Sequence, residues 1–230
     1  MTGLVVSYNT ADLLRRSIES ILKFHPSLPL LIIDGSDSDD PCYKYAASLR
    51  SEQIRVVQPN ENIGHGRGMD LGLRMIQTEY ALIFDSDIIM LKSPLSQMLS
   101  MMDSNTFGCG WITEVGYDGF DYGTFLHQLK DGPVRYLHPY FQLLNVANYK
   151  KFIPYCHHGA PCYKTMIDIH EKGLSGQILK HFSGLTGHTS GQGANWIGRP
   201  SEYIQHDFGG TRMANRAAGK KEIDGVWERL

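Results

Sequence analysis

The chain has 230 residues, with 22 Lys and Arg against 24 Asp and Glu and a formal net charge of -2, which is enough length for one domain with a substantial core. The two signs are interspersed, which excludes the broad basic face of a nucleic-acid binder and leaves any anionic ligand to be met locally. Four widely spaced cysteines without a CxxC pair exclude a disulfide framework and a zinc ribbon and fit a reducing compartment, and no apolar run approaches membrane-spanning length, so a soluble, cytoplasmic protein is expected.

Gly3–Ser7 predicts a first strand. Ala11–Phe24 predicts a helix, because Leu13, Leu14, Ile18, Ile21 and Leu22 recur at helical spacing, with Thr10 as its expected N-cap. Leu30–Ile33 predicts a buried strand that ends in the acidic run Asp34-Gly35-Ser36-Asp37-Ser38-Asp39-Asp40, after which Pro41 is placed to open another helix. Ile54–Val57 predicts a third strand. A turn at Pro59 and Asn60 and a glycine-rich stretch then lead into a helix over Met69–Ile76 and a fourth strand over Ala81–Phe84. Ser93 and Pro94 supply an N-cap and N1 pair for a helix to Met102. Short apolar runs alternating with amphipathic segments are the pattern of βαβ units, so the fold class is α/β, Rossmann-like, with a mostly parallel central sheet flanked by helices. Farther on, Phe107–Ile112 and Tyr140–Val146 predict strands, Ala160–Lys172 predicts a helix closed by Gly173, and Ser183–Pro200 predicts an irregular loop. One domain is expected over 1–230, with a donor half at 1–103 and an acceptor half at 104–230.

In an open α/β sheet, ligands bind beyond the carboxyl ends of the strands. Ser7, Tyr8 and Asn9 follow the first strand, Asp34 the second, and Asp85-Ser86-Asp87 the fourth, so these residues can converge on one pocket. Two carboxylates one residue apart at a strand end can turn toward the same hard cation, with a diphosphate supplying further oxygens. Such a cation neutralises charge growing on a departing nucleoside diphosphate. The apolar runs Tyr80–Phe84 and Ile88–Met90 on either side place the pair in ordered structure rather than a solvated loop. Asp34 has two readings, a ligand contact or an Asx-turn with Gly35. Arg67 likewise is either a surface charge or a bidentate phosphate contact. Cys156-His157-His158 with Cys162 holds zinc-ligand types but none of the usual zinc spacings. His157 and His158 better suit the acceptor side, and Trp111, Tyr117, Phe120, Tyr122 and Tyr136 are read first as core aromatics.

Four segments occur in an order that carries a resemblance: Val5-Val6-Ser7-Tyr8-Asn9, then Leu31 to Ser36, then Asn62-Ile63-Gly64 through Gly68-Met69-Asp70-Leu71-Gly72, then Asp85-Ser86-Asp87. Over about its first hundred residues the chain resembles the GT-A glycosyltransferases, most closely those of family 2. The resemblance implies a hexosyltransferase-like enzyme of polysaccharide or glycan assembly. It implies transfer of a sugar from a nucleoside-diphosphate sugar, UDP-linked first, to a glycan, lipid-linked or protein acceptor. No nucleic-acid partner is implied, and a lipid-linked acceptor would bring peripheral membrane association. In the donor site, Ser7, Tyr8 and Asn9 would hold the base and Asp34 the base or ribose. Arg67 would approach the base or the diphosphate, His65 and Asp70 would flank a glycine-rich turn that cradles the donor, and Asp85 with Ser86 would meet ribose or metal. Asp87 would ligate the metal. Tyr203 to Arg212 resembles a segment whose histidine completes the metal site, so His206 is the implied third ligand; an imidazole beside carboxylates suits Mn²⁺ better than Mg²⁺.

An inverting transfer needs a base for the acceptor hydroxyl. The resemblance departs here, because Pro161 and Cys162 stand where family 2 enzymes often carry an acidic pair. Glu114, Asp118 and Asp121 are the substitutes, Asp168 reads as a surface or packing residue, and a retaining route stays open. A sugar-phosphate nucleotidyltransferase is an alternative, disfavoured because Ser7-Tyr8-Asn9-Thr10 offers neither glycine nor cation. A non-catalytic carbohydrate- or nucleotide-binding protein is the third reading, and it leaves the paired carboxylates without a purpose.

Overall fold

The computed structural model describes residues 1–117, 132–156, 160–185 and 201–207. Its apolar runs become the strands β1 (Thr2–Ser7), β2 (Leu30–Asp34), β3 (Ile54–Val57) and β4 (Tyr80–Phe84), which lie parallel in the order β3-β2-β1-β4. β7 (Val134–Asn145) pairs antiparallel with β4, β6 (Gly108–Val115) antiparallel with β7, and β8 (Leu179–His181) parallel with β6. Only β7 opposes the rest of this mostly parallel sheet. A separate two-stranded ladder joins β5 (Ile88–Met90) to β9 (Ile204–His206).

Near-continuous apolar strands require cover on both faces. Along β1 and β4, Val5, Leu82 and Phe84 face one core with Leu14, Ile18 and Ile21 of α1 (Ala11–Phe24), Cys42 and Ala46 of α2 (Pro41–Ser48), and Leu95 and Met98 of α4 (Leu95–Ser100). Leu4, Ala81 and Ile83 point the other way, onto Met69 and Leu73 of α3 (His65–Met75), the short α5 (Val146–Tyr149), Met166 and Ile169 of α6 (Tyr163–Glu171), and Ile178 of α7 (Ser175–Ile178). This is the expected sandwich of helix, sheet and helix, and no helix among the described residues is long and apolar enough to cross a membrane.

Several local expectations are corrected. The helix expected from Met69 begins at His65, so the glycines are its first turns, with Gly64 at φ +80 turning the chain into it. A Cβ at Gly68 would stand 2.8 Å from Val6 Cγ1, and one at Gly72 would stand 2.3 Å from Leu4 Cδ1. The glycines therefore let α3 lie directly on β1. Thr10 precedes α1 but makes no side-chain cap, and its Oγ1 is buried without a hydrogen-bond partner among the described residues. The cap belongs to α2, where Asp40 accepts from the Cys42 N–H at 2.7 Å ahead of Pro41 at the N-terminus. β7 starts six residues before the expected Tyr140, because His138 and Pro139 break its apolar pattern without ending the strand. α6 ends as expected: Gly173 at φ +68 lets the Leu174 N–H reach the Ile169 carbonyl at 3.1 Å and its own N–H reach His170 at 2.8 Å, a Schellman closure.

Candidate active site

β1, β2 and β4 release their chains along one edge of the sheet, and the loops there are tied to each other before any ligand is considered. Asp34 ends β2 wholly buried. Its carboxylate accepts from Ser7 Oγ at 2.9 Å, from Ser36 Oγ at 2.5 Å and from Gln58 Nε2 at 3.0 Å. Asn9, at φ +53, donates its N–H to Ser36 Oγ at 2.8 Å, while its side chain donates to Asp37 Oδ2 at 2.8 Å and accepts from the Asp37 N–H at 3.1 Å. Tyr8 stays half-buried between these ties. The first two strand ends thus form a rigid rim, in which Asp34 serves as its internal anchor.

The third strand end carries the charge. Ser17 and Ser20, buried on α1, hold its backbone: Ser17 Oγ donates to the Asp85 carbonyl at 3.1 Å, and Ser20 Oγ accepts from the Met90 N–H at 2.9 Å. The Asp85 N–H donates to the Tyr140 carbonyl at 2.9 Å, locking the turn to β7. β9 pairs Ile88 with His206, and the Asp207 N–H donates to the Asp87 carbonyl at 2.9 Å, so a residue more than a hundred positions away is delivered beside Asp87. Arg16 meets Asp207 at 3.7 Å and fastens the exit of that strand to α1. His206 Nε2 lies 3.2 Å from Asp87 Oδ1 and 3.6 Å from Asp85 Oδ2, and its ring stacks on Tyr140 at 4.8 Å and 11°.

Burial would lower the His206 imidazole, but the Asp87 carboxylate and then Asp85 hold it above its ordinary value. His65, whose Nε2 stands 3.3 Å from Asp85 Oδ1, is raised by Asp85 against the same burial. Burial would raise Asp85, yet His65, then His206 and His138, pull it down to about 2. One donor atom each from Asp85, Asp87 and His206 lie within 4.8 Å of one another. Asp85 Oδ1 is buried and ion-paired with His65 Nε2 at 3.3 Å, while Oδ2 faces His206 Nε2 at 3.6 Å. Two carboxylates and an imidazole make a donor set that fits Mn²⁺.

Of the other expected site residues, Ser86 is buried inside the turn and Arg67 is exposed on the first turn of α3. Asp70 turns away from this cluster into helix packing, accepting from Arg74 Nε at 2.8 Å and Tyr149 Oη at 2.9 Å. Glu114 is exposed on β6 opposite Arg135. Asp118, Asp121, His157, His158, Phe120, Tyr122 and the stretch after Asp207 lie outside the described residues. Cys162, ahead of α6, is wholly buried, and burial pushes its thiol up to about 12, so it supplies no base. Asp168 is structural, accepting from the Ile153 N–H at 3.1 Å and pairing with Lys172. Sequence reasoning missed His138 and Tyr140, which reach the site from the extension of β7; the only trace was a polar His-Pro step inside an apolar strand.

The protein-family model described as glycosyl transferase family 2 matches residues 4–169. No curated protein sequence matches the chain. Among solved structures, the chain is similar to the mannosyltransferase PcManGT from Pyrobaculum calidifontis in complex with GDP-Man and Mn²⁺, with a TM-score of 0.55 at 16% identity over 79% of this chain and 54% of that one. It is similar also to residues 1–349 of TarS from S. aureus in complex with UDP-GlcNAc, with a TM-score of 0.55 at 15% identity over 80% of this chain and 56% of that one. A third is GalNAc-T7 with UDP, GalNAc and Mn²⁺, with a TM-score of 0.55 at 9% identity over 73% of this chain and 40% of that one. The chain thus spans little more than half of each at most, and the likeness at these identities is one of fold. That shared fold is the GT-A fold and the family match runs from Leu4 in β1 to Ile169 in α6, taking in both carboxylates of the cluster, so the chain belongs to glycosyl transferase family 2.

Proposed function

We propose that the chain transfers a sugar from a nucleoside-diphosphate sugar, UDP-linked in the first instance, to a glycan, lipid-linked or protein acceptor in polysaccharide or glycan assembly. Asp85, Asp87 and His206 would hold Mn²⁺, or Mg²⁺ in its place. The observation that carries this reading is the convergence of these three side chains, whose donor atoms lie within 4.8 Å of one another. Mn²⁺ accompanies GDP-Man in the PcManGT structure and UDP in that of GalNAc-T7.

When bound, the ion supplies Lewis-acid stabilisation of charge on the leaving diphosphate. The protein's own part is preorganisation. Ser17 and the Tyr140 carbonyl fix the Asp85 backbone, and the β5–β9 ladder fixes His206, so ligand positions cost no reorganisation during transfer. Ser7, Tyr8 and Asn9 frame the nucleoside on a rim that Asp34 keeps rigid, while His65 and exposed Arg67 on α3 face the diphosphate side. Glu114, Asp118 and Asp121 are the acids available to take the acceptor's proton in an inverting transfer.

The test is calorimetry with UDP-, GDP-, dTDP- and CMP-sugars, with and without Mn²⁺. Saturable binding of one nucleotide class that requires the metal is expected; metal-independent binding, or none, overturns the reading.

A further inference from the structure

We propose that Tyr140 is a positioning residue for the metal centre, its ring face setting the plane of the His206 imidazole while its backbone carbonyl holds Asp85. The assignment rests on the Mn²⁺ reading above and extends it to a residue that acts through the ligands. A strand of three residues does not by itself orient a histidine ring. Pairing with Ile88 places the backbone of His206, but the last side-chain torsion of histidine has only a broad preference, so a neighbour must set the plane of the imidazole. Tyr140 is that neighbour, since the two rings lie 4.8 Å apart at 11°. His138 meets the same imidazole edge-on, at 6.5 Å and 68°. In this orientation His206 Nε2 faces Asp87 Oδ1 at 3.2 Å and Asp85 Oδ2 at 3.6 Å.

Tyr140 can hold another ring because it is itself held. The β4–β7 ladder ends at Phe84 and Phe141, and one step on the Tyr140 carbonyl accepts the Asp85 N–H at 2.9 Å. On the other side the β6–β7 register breaks between Gly110 and Ile112, which places Tyr140 in the stretch His138 to Phe141 that β6 releases. Irregularities of this kind re-aim side chains and recur beside active sites. Tyr140 is 2% exposed, with Trp111 packed on it at 6.2 Å and 58° and His138 at 5.2 Å and 59°. Burial, and then the Asp85 charge, push its hydroxyl above the ordinary tyrosine value, so Tyr140 stays neutral and offers the site a surface rather than a charge. One residue of β7 thereby sets the relative placement of a ligand on the β4 turn and a ligand delivered by β9.

Titration of Mn²⁺ into the whole chain, read by electron paramagnetic resonance, and imidazole-proton NMR of the ion-free chain test this. Tyr140→Leu and Tyr140→Met remove the flat face, Tyr140→Phe keeps it, and all three keep the carbonyl. Mn²⁺ affinity is expected to fall about tenfold in the first two, as for residues that orient a ligand, and to return to the parental value in Tyr140→Phe. In a His206→Ala background the same changes are expected to have no further effect, which separates orientation of the imidazole from general packing. Without metal, the His206 ring protons, identified by their loss in His206→Ala, are expected upfield in the parent and in Tyr140→Phe, and to move downfield in the other two. Melting temperatures identify any variant that does not fold. Parental affinity in Tyr140→Leu or Tyr140→Met, an equal loss in both backgrounds, or a tenfold loss in Tyr140→Phe overturns the proposal. No saturable Mn²⁺ binding by the parent overturns the metal reading instead, and is told apart by His206 ring protons that still respond to Tyr140→Leu.

Discussion

Replacing Gly72 with alanine tests how α3 is seated under the donor site. The added Cβ would stand 2.3 Å from Leu4 Cδ1 and 2.9 Å from Leu4 Cδ2, where ordinary contact begins at 3.4 Å. Leu4 is wholly buried in the middle of the parallel sheet, so moving its side chain aside displaces its core neighbours. Overpacking at such a site costs up to about 3 kcal/mol, against which the better helix propensity of alanine returns about 1 kcal/mol. A net loss of about 2 kcal/mol lowers the melting temperature of a chain this size by about 4–8 °C. Because α3 begins at His65, lifting it also draws the imidazole off Asp85, now 3.3 Å away, so metal-dependent donor binding weakens with stability. Differential scanning fluorimetry and calorimetry read the two effects. Leu4→Val removes the clashing methyls, so the double variant is expected to lose less than the sum of the two single changes. Gly176→Ala is the control, since its Cβ meets nothing within 4 Å. Additive losses, or Gly72→Ala melting with the parent protein, would refute the packing explanation of the glycines.

His206→Ala strips the ring from Tyr140 and leaves the Asp85 and Asp87 charges without their shared cation. Mn²⁺ affinity read by calorimetry is expected to fall more than about 100-fold, beyond the loss typical of an outer-shell change. For pH, His65 and His206 are raised above 6.5, so their stabilising contribution is complete below 6.5 and lost as pH rises through their raised values. Asp85, lowered to about 2, contributes above 3.8 and loses its contribution only as pH falls through about 2. The ion-free melting temperature should therefore decline from pH 6 through neutrality, while Mn²⁺ stabilisation grows over the same interval because His206 must shed its proton to bind; a flat profile with metal argues against His206 as a ligand. Asp34→Asn replaces one accepting oxygen by an amide N–H₂, which then faces either Ser7 and Ser36, the donors to Oδ1, or Gln58, the donor to Oδ2. The clash costs about 1–3 kcal/mol, a drop of roughly 2–12 °C, and an unchanged melt would show that Asp34 is not the anchor of the rim.

The parallel half of the fold was legible because Val5, Ile32 and Leu82 lie in short apolar runs that only a strand covered on both faces explains. The Asp85 and Asp87 pair was legible for the same reason, since its position followed from the strand before it. What escaped is what depends on distant partners. The glycines after Gly64 read locally as a turn, but their purpose is set by Leu4 and Val6 on another element. β5, β8 and β9 are three residues each and exist through pairing rather than pattern. Trp111 read as a core aromatic and does pack, half-buried, against the core, but the register break that sets it opposite His138 to Phe141 of β7 left no local signal. Asp70, set in a glycine-rich segment, read as donor-facing, whereas Tyr149 and Arg74 claim its carboxylate.

The most direct test is an electron paramagnetic resonance titration of Mn²⁺ into the protein with UDP present, run in parallel with Asp87→Asn. A saturable bound-Mn²⁺ signal that UDP strengthens and the substitution abolishes, with the variant's melting temperature little changed, is the predicted result. Equal Mn²⁺ binding by both proteins, or binding indifferent to UDP, would contradict a cation held by Asp85, Asp87 and His206 against a nucleoside diphosphate.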